Sequence, residues 1–227
     1  RVKALAERLN ETLTGAPNGW LLEYYPSSGQ YYGGFNVFLS FSEGNKVKVG
    51  SEVAGKGKTA TSTYSIYQSA GCVLTLDTYN EVMHYFSDPE TTGGQGAGFG
   101  FEGDFEFNVL DLQDEKITLK GRKTGSTMTM TPMPVSMSWD DYIVALKEEE
   151  SAISKHTRIR YQTADNKYDG RINGRTLEIF SEVDGEQVTT SYPFIFNLMG
   201  VTFYKPLELG DERIDGLVYN PDMADGG

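Results

Sequence analysis

The sequence is poor in cysteine and histidine, and it has no long apolar run. Its 227 residues include one cysteine, Cys72, which excludes an intrachain disulfide and a thiolate metal cluster. The two histidines, His84 and His156, lie far apart, and neither has a partner at metal-ligand spacing, so no metal site is predicted. No run of about 18 apolar residues occurs, so the sequence predicts no transmembrane helix.

Basic residues are also scarce. The chain has 20 Lys and Arg against 32 Asp and Glu, which gives a net charge of −12. Nucleic acid is therefore not an expected partner, because phosphate backbones require a basic face. With 38% hydrophobic and 12% aromatic residues the chain can bury a core, which excludes wholesale disorder. The 26 Gly, 14 Tyr and 12 Phe suit an all-β extracytoplasmic protein.

Two segments have helical periodicity and almost all the rest alternates with a period of two. The first helix is predicted from residue 2 to residue 14, and the second over roughly 139–155, with Ser138 as N-cap and Asp141 in the capping-box position. Elsewhere apolar and polar residues alternate between Gly, Asn and Asp turns about every ten residues. This pattern predicts a meander of roughly a dozen antiparallel strands, so the fold class is mainly β.

The two helices each precede a set of strands, which predicts two helix-led lobes. The first lobe is assigned to residues 1–134 and the second, shorter lobe to 135–227, with the boundary in the proline-bearing stretch 131–135. The tripeptide Phe-Ser-Glu recurs at 41–43 and 180–182, which raises an internal duplication as a hypothesis. Each lobe is expected to be a curved antiparallel sheet or a partly closed barrel of the calycin type.

Motifs for catalysis or cofactor binding are sparse. The Gly-x-Gly-x-x-Gly at 98–103 precedes a strand rather than a helix, so no dinucleotide site is predicted. The segment 165–176 resembles a calcium loop, but Lys167 and Thr176 occupy ligand positions, which favours a hairpin turn. Glu102, Asp104 and Glu106 are predicted to form the solvated face of a strand whose other face buries phenylalanines. We therefore expect no cofactor and favour a non-enzymatic protein.

Aromatic residues on loops are the remaining candidates for a site. Tyr31 and Tyr32 follow a Ser-Ser-Gly turn, while Tyr85, Phe86 and Phe99 bracket the glycine-rich run 93–98 of the loop 93–100. Rings displayed on loops stack on sugars or grip peptide side chains. The alternative is that most of these rings fill the cores of the β lobes.

Six stretches together resemble a known family. They are Gly19-Trp20, Tyr32-Gly33-Gly34-Phe35-Asn36, Leu76-Asp77-Thr78-Tyr79-Asn80, Phe86-Ser87-Asp88-Pro89, Gly103-Asp104-Phe105-Glu106-Phe107 and Leu119-Lys120-Gly121-Arg122-Lys123. In that order they resemble an uncharacterised family of Bacteroidetes surface lipoproteins, domain-of-unknown-function family 4302. The resemblance implies a signal peptide and an acylated cysteine upstream of Arg1, and hence a lipid-anchored protein at the outer membrane or cell surface. It also implies a possible association with an outer-membrane uptake complex, but it supplies no catalytic residues.

Three functional hypotheses follow. The first is a surface module that binds an extracellular ligand for nutrient uptake, a glycan ahead of a peptide, and it predicts an exposed aromatic platform. The second is a hydrolase that uses carboxylates near Asp77, Asp88 or Asp104, and it predicts two carboxylates about 5–9 Å apart. The third is a structural accessory subunit of an outer-membrane complex, and it predicts a flat apolar patch larger than a few hundred Å².

Overall fold

A computed structural model describes residues 2–88 and 101–223, which form three helices and fourteen strands. The helices are α1 Val2–Thr14, α2 Glu81–His84 and α3 Trp139–Ile153. The strands are β1 Trp20–Tyr24, β2 Phe35–Ser42, β3 Lys46–Ser51, β4 Thr59–Gln68, β5 Cys72–Leu76, β6 Glu106–Gln113, β7 Lys116–Gly121, β8 Thr127–Pro132, β9 Arg158–Gln162, β10 Lys167–Asn173, β11 Thr176–Val183, β12 Glu186–Asn197, β13 Gly200–Leu209 and β14 Glu212–Val218. Among the described residues, no helix has the length and apolar character needed to cross a bilayer.

Strands β1–β8 form a closed antiparallel barrel. Each strand pairs with the next along the chain, and β1 also pairs with β8 through Trp20↔Pro132 and Leu22↔Met130. In this up-and-down order consecutive strands are neighbours, although the connection from β5 to β6 is long and contains α2, and closure leaves no free sheet edge. The predicted mainly-β fold with a calycin-like barrel is confirmed, and closure is complete rather than partial.

Side chains fill the inside of this barrel. Trp20, Leu22 and Tyr24 point inward from β1, and each has at most 1% of its surface exposed. Helix α1 covers one end, where the Trp20 indole N–H donates to the carbonyl of Leu13 at 3.0 Å. The rings of Phe86 and Tyr24 pack with centroids 4.9 Å apart near the other end. The inward side chains of β1 and the ring of Phe86 are therefore part of the barrel core.

The start of α3 covers the outer face of β2. The outward-facing Phe38 stacks on Trp139, with ring centroids 5.6 Å apart, and also contacts Tyr142. Ser138 accepts a hydrogen bond from the amide of Asp141 at 3.1 Å, which confirms the predicted N-cap. Gly19 has a φ of +72°, and a Cβ there would collide with the carbonyl of Leu39, so this position requires glycine.

The chain divides into two compact units. The first holds residues up to Gln30 and Phe35–Ile143, and the second holds Tyr31–Gly34 and Val144–Gly227. The division falls inside α3, whereas the predicted lobe boundary at 134/135 precedes that helix and stays a prediction. The Phe-Ser-Glu tripeptides lie on β2 and β11, the second strand after α1 and the third after α3. The two tripeptides therefore lie on strands that do not correspond in the order of elements, and the internal duplication stays a hypothesis.

The second unit contains a curled six-stranded sheet in the order β14-β13-β12-β11-β10-β9. Its two edge strands meet through side chains, because the Tyr161 hydroxyl on β9 donates to the Glu212 carboxylate on β14 at 2.6 Å. His156, before β9, also packs against Tyr219, after β14, with ring centroids 5.7 Å apart. The sheet is thus a half-barrel whose edges are linked by side chains rather than by a backbone ladder.

Candidate functional site

The sequence-predicted aromatic residues have different environments. Phe86 is fully buried and packs on Phe35 with centroids 5.2 Å apart, so in this conformation its ring belongs to the core and is not offered to a ligand. Tyr85 is half-buried and forms a T-shaped pair with Phe86. Tyr31 is 62% exposed and forms a T-shaped pair with Tyr32. Phe99 and the glycine-rich loop 93–100 lie outside the described residues.

Three rings packed in a row form an exposed aromatic surface on the first unit. The imidazole of His84 lies between Tyr79 and Phe105, with centroid distances of 4.7 Å and 5.3 Å. The plane of Phe105 is only 22° from that of His84. Tyr79 is 71% exposed and Phe105 40% exposed, so the outer rings face solvent. We call Tyr79, His84 and Phe105 the aromatic stack.

Asn80 fixes the position of this stack. Its side-chain oxygen accepts from the amides of Val82 and Met83 and caps α2, while its side-chain nitrogen donates to the carbonyl of Ala60 and the hydroxyl of Ser62 at 3.1 Å each. Asn is among the best N-cap residues, since its short side chain reaches the free amides of the first turn. Because Asn80 is buried, it ties the short helix that carries His84 to β4.

The Nδ1 atom of His84 has a hydrogen-bond partner in either neutral tautomer of the imidazole. Its Nδ1 lies 3.1 Å from the amide nitrogen of Asn80 and 3.0 Å from the carbonyl oxygen of Asn80. An unprotonated Nδ1 accepts from the amide, and a protonated Nδ1 donates to the carbonyl. The ring therefore keeps its orientation between its two aromatic neighbours whichever tautomer is present.

A group of polar side chains lies on the outer face of β4–β7 beside the stack. The Tyr67 hydroxyl donates to the Glu106 carboxylate at 3.4 Å, and the Arg122 guanidinium donates to that hydroxyl at 3.4 Å. Arg122 Nε also lies 3.9 Å from the Glu106 carboxylate. Asn108 pairs with Lys120 in the neighbouring row of the same face. We call Tyr67, Glu106, Asn108 and Arg122 the polar patch.

The stack and the patch meet where β6 begins. The carbonyl of Phe105 accepts from the amide of Leu76, and Glu106 is the first residue of β6 and pairs with Thr75. The amide of Arg122 donates to the carbonyl of Glu106 at 3.0 Å. One backbone segment therefore supplies the last ring of the stack and the central carboxylate of the patch.

The prediction that Asp104 lies on a solvated strand face is wrong. Asp104 is 3% exposed, and its carboxylate accepts from the amides of Lys123 at 2.7 Å and Thr124 at 3.3 Å, and from the Thr124 hydroxyl. Glu102 has a φ of +54°, which breaks the extended backbone before β6 and exposes Phe105 instead. Asp104 thus holds the turn between β7 and β8.

Burial also sets the ionisation of groups inside the barrel. The Tyr24 hydroxyl donates to the carbonyl of Asp104 at 2.7 Å, and burial, assisted by the charge of the Asp104 carboxylate, raises the pKa of Tyr24 well above its usual value. Cys72 is buried on β5, and burial raises the pKa of its thiol, as expected of a structural cysteine. Within residues 2–88 and 101–223, no three His, Cys, Asp or Glu side chains form a group suited to hold a metal ion.

A comparison with protein families gives one match. The model of a domain of unknown function, DUF4302, matches residues 1–221. The chain belongs to this family. The match confirms that the chain is a member of domain-of-unknown-function family 4302, whose description names no activity. Searches of curated proteins and of solved structures found no match.

The ligand-binding residues predicted from the sequence include no member of the aromatic stack and none of the polar patch. Tyr79 directly precedes Asn80, whose N-cap signal places it at the start of a short helix. That signal could have marked Tyr79 as a residue on a surface turn. Phe105 is predicted to lie in the core because the alternation of apolar and polar residues in β6 extends upstream of its first residue, Glu106.

Proposed function

We propose that this chain is a non-enzymatic surface module that captures an extracellular glycan for nutrient uptake. The aromatic stack is the observation that supports it most directly, because Tyr79 and Phe105 present flat rings to solvent from a rigid base. Tyrosine and phenylalanine rings bury large apolar area at little entropic cost, which suits stacking against the apolar face of a sugar ring.

The polar patch favours a glycan over a peptide. It combines a carboxylate, an amide, a phenol and a guanidinium within one surface, and such groups hydrogen-bond the hydroxyls of a sugar. An apolar groove for peptide side chains would instead have few charged groups at its centre. Binding of a peptide to the same surface is the alternative outcome of the test below.

The cellular setting is part of the same proposal. A lipid anchor upstream of Arg1 would hold the module outside the cytoplasm, at the outer membrane or cell surface, beside an outer-membrane uptake complex. The resemblance to surface lipoproteins supports this setting. The anchor would also be the module's contact with the membrane.

Hydrolysis is the less favoured function. The Asp104 carboxylate is buried against the amides of Lys123 and Thr124, so it holds a turn. Asp77 accepts a hydrogen bond from the Ser65 hydroxyl at 2.7 Å. Both carboxylates are engaged in hydrogen bonds within the protein, whereas the outer rings of the aromatic stack are exposed to a ligand. The accessory-subunit hypothesis stays a prediction.

A glycan and peptide array followed by calorimetry tests the proposal. Tyr79→Ala and Phe105→Ala should each weaken binding about fivefold or more, because truncating a central aromatic contact costs over about 1 kcal/mol. Leu110→Ala is the matched control, since Leu110 is 55% exposed on β6. Tyr31→Ala and Tyr85→Ala test the aromatic residues predicted from sequence. Unchanged affinity in both stack variants would refute the assignment of this site.

A further inference from the structure

The proposed glycan site lies beside a short basic segment, which bears on the chemical class of the ligand. Three of the four residues from Lys120 to Lys123 are cationic: Lys120, Arg122 and Lys123. All three are exposed, although the whole chain has a net charge of −12. We call these three residues the basic turn.

Arg122 is the cation of the basic turn that pairs with a carboxylate in the part of the chain that the structure describes. Arg122 lies 3.9 Å from the Glu106 carboxylate, at the outer limit of an ion pair. Within the described residues, no acidic side chain is found within ion-pair distance of the Lys120 or Lys123 ammonium group. The buried carboxylate of Asp104 lies on the inner side of the turn, where it accepts hydrogen bonds from the amides of Lys123 and Thr124.

The strand register places this charge on the same face as the polar patch. Lys120 pairs with Asn108, and the amide of Arg122 donates to the carbonyl of Glu106. Their neighbours Leu119 and Gly121 pair across with the apolar Val109 and Phe107, which places those two residues on the inner face. The side chains of Lys120 and Arg122 therefore point outward with Asn108 and Glu106.

We propose that the ligand is an anionic glycan, carrying carboxylate or sulfate groups, whose acidic substituents bind the basic turn while a sugar ring stacks on Tyr79, His84 and Phe105. This inference rests on the proposed glycan-binding function. A guanidinium pairs with carboxylate or sulfate through two parallel hydrogen bonds, and the exposed Arg122, whose contacts with Tyr67 and Glu106 are long, has donors to offer such a group. Elsewhere the acidic protein repels such a ligand, so the basic turn also sets its orientation.

The basic turn is held in place before any ligand arrives. Gly125 has a φ of +74° and its amide donates to the carbonyl of Gly121 at 2.9 Å, which closes the turn. The carboxylate of Asp104 fixes the amides of Lys123 and Thr124 from below. A preformed cationic turn loses little entropy on binding, which favours recognition of a repeating anionic polymer.

Calorimetry on matched pairs of polysaccharides tests this inference. The probes are polygalacturonate and its methyl-esterified form for carboxylate, and chondroitin sulfate and desulfated chondroitin for sulfate. We expect one anionic member to bind at least tenfold more tightly than its partner with fewer charges. Its affinity should fall several-fold between low and high salt, because exposed charges are screened. The two pairs distinguish which acidic group is recognised.

Charge-neutral variants identify the turn. Lys120→Gln and Lys123→Gln should each weaken binding of the anionic probe about five- to tenfold and leave binding of the methyl-esterified probe unchanged. Lys56→Gln, at an exposed lysine on another loop, is the matched control. Tryptophan fluorescence confirms that each variant is folded.

The outcomes separate this inference from the proposed function. Stack-dependent binding of neutral glycans, with no effect of salt or of Lys123→Gln, overturns the anionic ligand and leaves the proposed function standing. Binding that needs Lys123 but survives Tyr79→Ala overturns the aromatic site and this inference with it. Absence of binding to every glycan tested overturns both.

Discussion

Replacing Asp104 by Asn tests how the first unit holds the basic turn. The carboxylate accepts three hydrogen bonds, from the Lys123 amide at 2.7 Å, from the Thr124 amide at 3.3 Å and from the Thr124 hydroxyl. A hydrogen bond to a charged group contributes about 1.5–3 kcal/mol and a neutral one about 0.5–1.5 kcal/mol. Loss of the charge therefore costs about 1 kcal/mol for each bond, or about 3 kcal/mol in the free energy of unfolding.

Urea unfolding followed by tryptophan fluorescence measures this change. Both tryptophans, Trp20 and Trp139, belong to the first unit, so the signal reports that unit even where the two units unfold separately. Asp111→Asn is the control, because Asp111 is exposed and accepts one hydrogen bond, from Gln113. We expect that control to change stability by less than about 0.5 kcal/mol. If Asp104→Asn is as stable as the control, the charge of Asp104 does not hold the turn between β7 and β8.

Three further perturbations test other parts of the structure. Tyr24→Phe should lower the free energy of unfolding by about 1–2 kcal/mol at neutral pH, because it removes a buried hydrogen bond. The pKa of Tyr24 is raised in the folded state, so wild-type stability should fall as pH rises above about 10, and urea titrations should show a smaller fall in Tyr24→Phe. Asn80→Ala should cost about 2–3 kcal/mol by thermal unfolding and weaken glycan binding, since the cap and both contacts to β4 are lost. The hydrogen bond to Glu212 raises the pKa of Tyr161. Glu212→Gln should therefore lower the pKa of Tyr161 in an ultraviolet titration of tyrosinate. An unchanged titration would show that β9 and β14 do not meet at this pair.

The regular elements could be predicted because their residues repeat with clear periods. Helix α1 has the predicted limits, and α3 ends two residues before the predicted limit. Barrel closure was beyond local reasoning, because it depends on Trp20 pairing with Pro132, which lie far apart in the chain. Alternation within each strand is the same in an open sheet and in a closed barrel.

The candidate site was less predictable than the fold. Alternation placed Phe105 in the core and Asp104 in solvent, but the positive φ of Glu102 interrupts the strand and reverses both. Helix α2 has four residues, too few for a periodic pattern, so the stack that it supports was not visible. Phe86 looked like a loop residue and is fully buried, because it packs between Tyr24 and Phe35.

The imidazole signals of the two histidines give the most direct test of the central claim that the aromatic stack binds a glycan. His84 lies within the stack, and His156 lies in the second unit against Tyr219, so one nuclear magnetic resonance spectrum contains both the probe and its control. On titration with a glycan that binds, we expect the His84 ring signals to shift and saturate while those of His156 stay in place. A glycan that binds and leaves the His84 signals unmoved would contradict the claim.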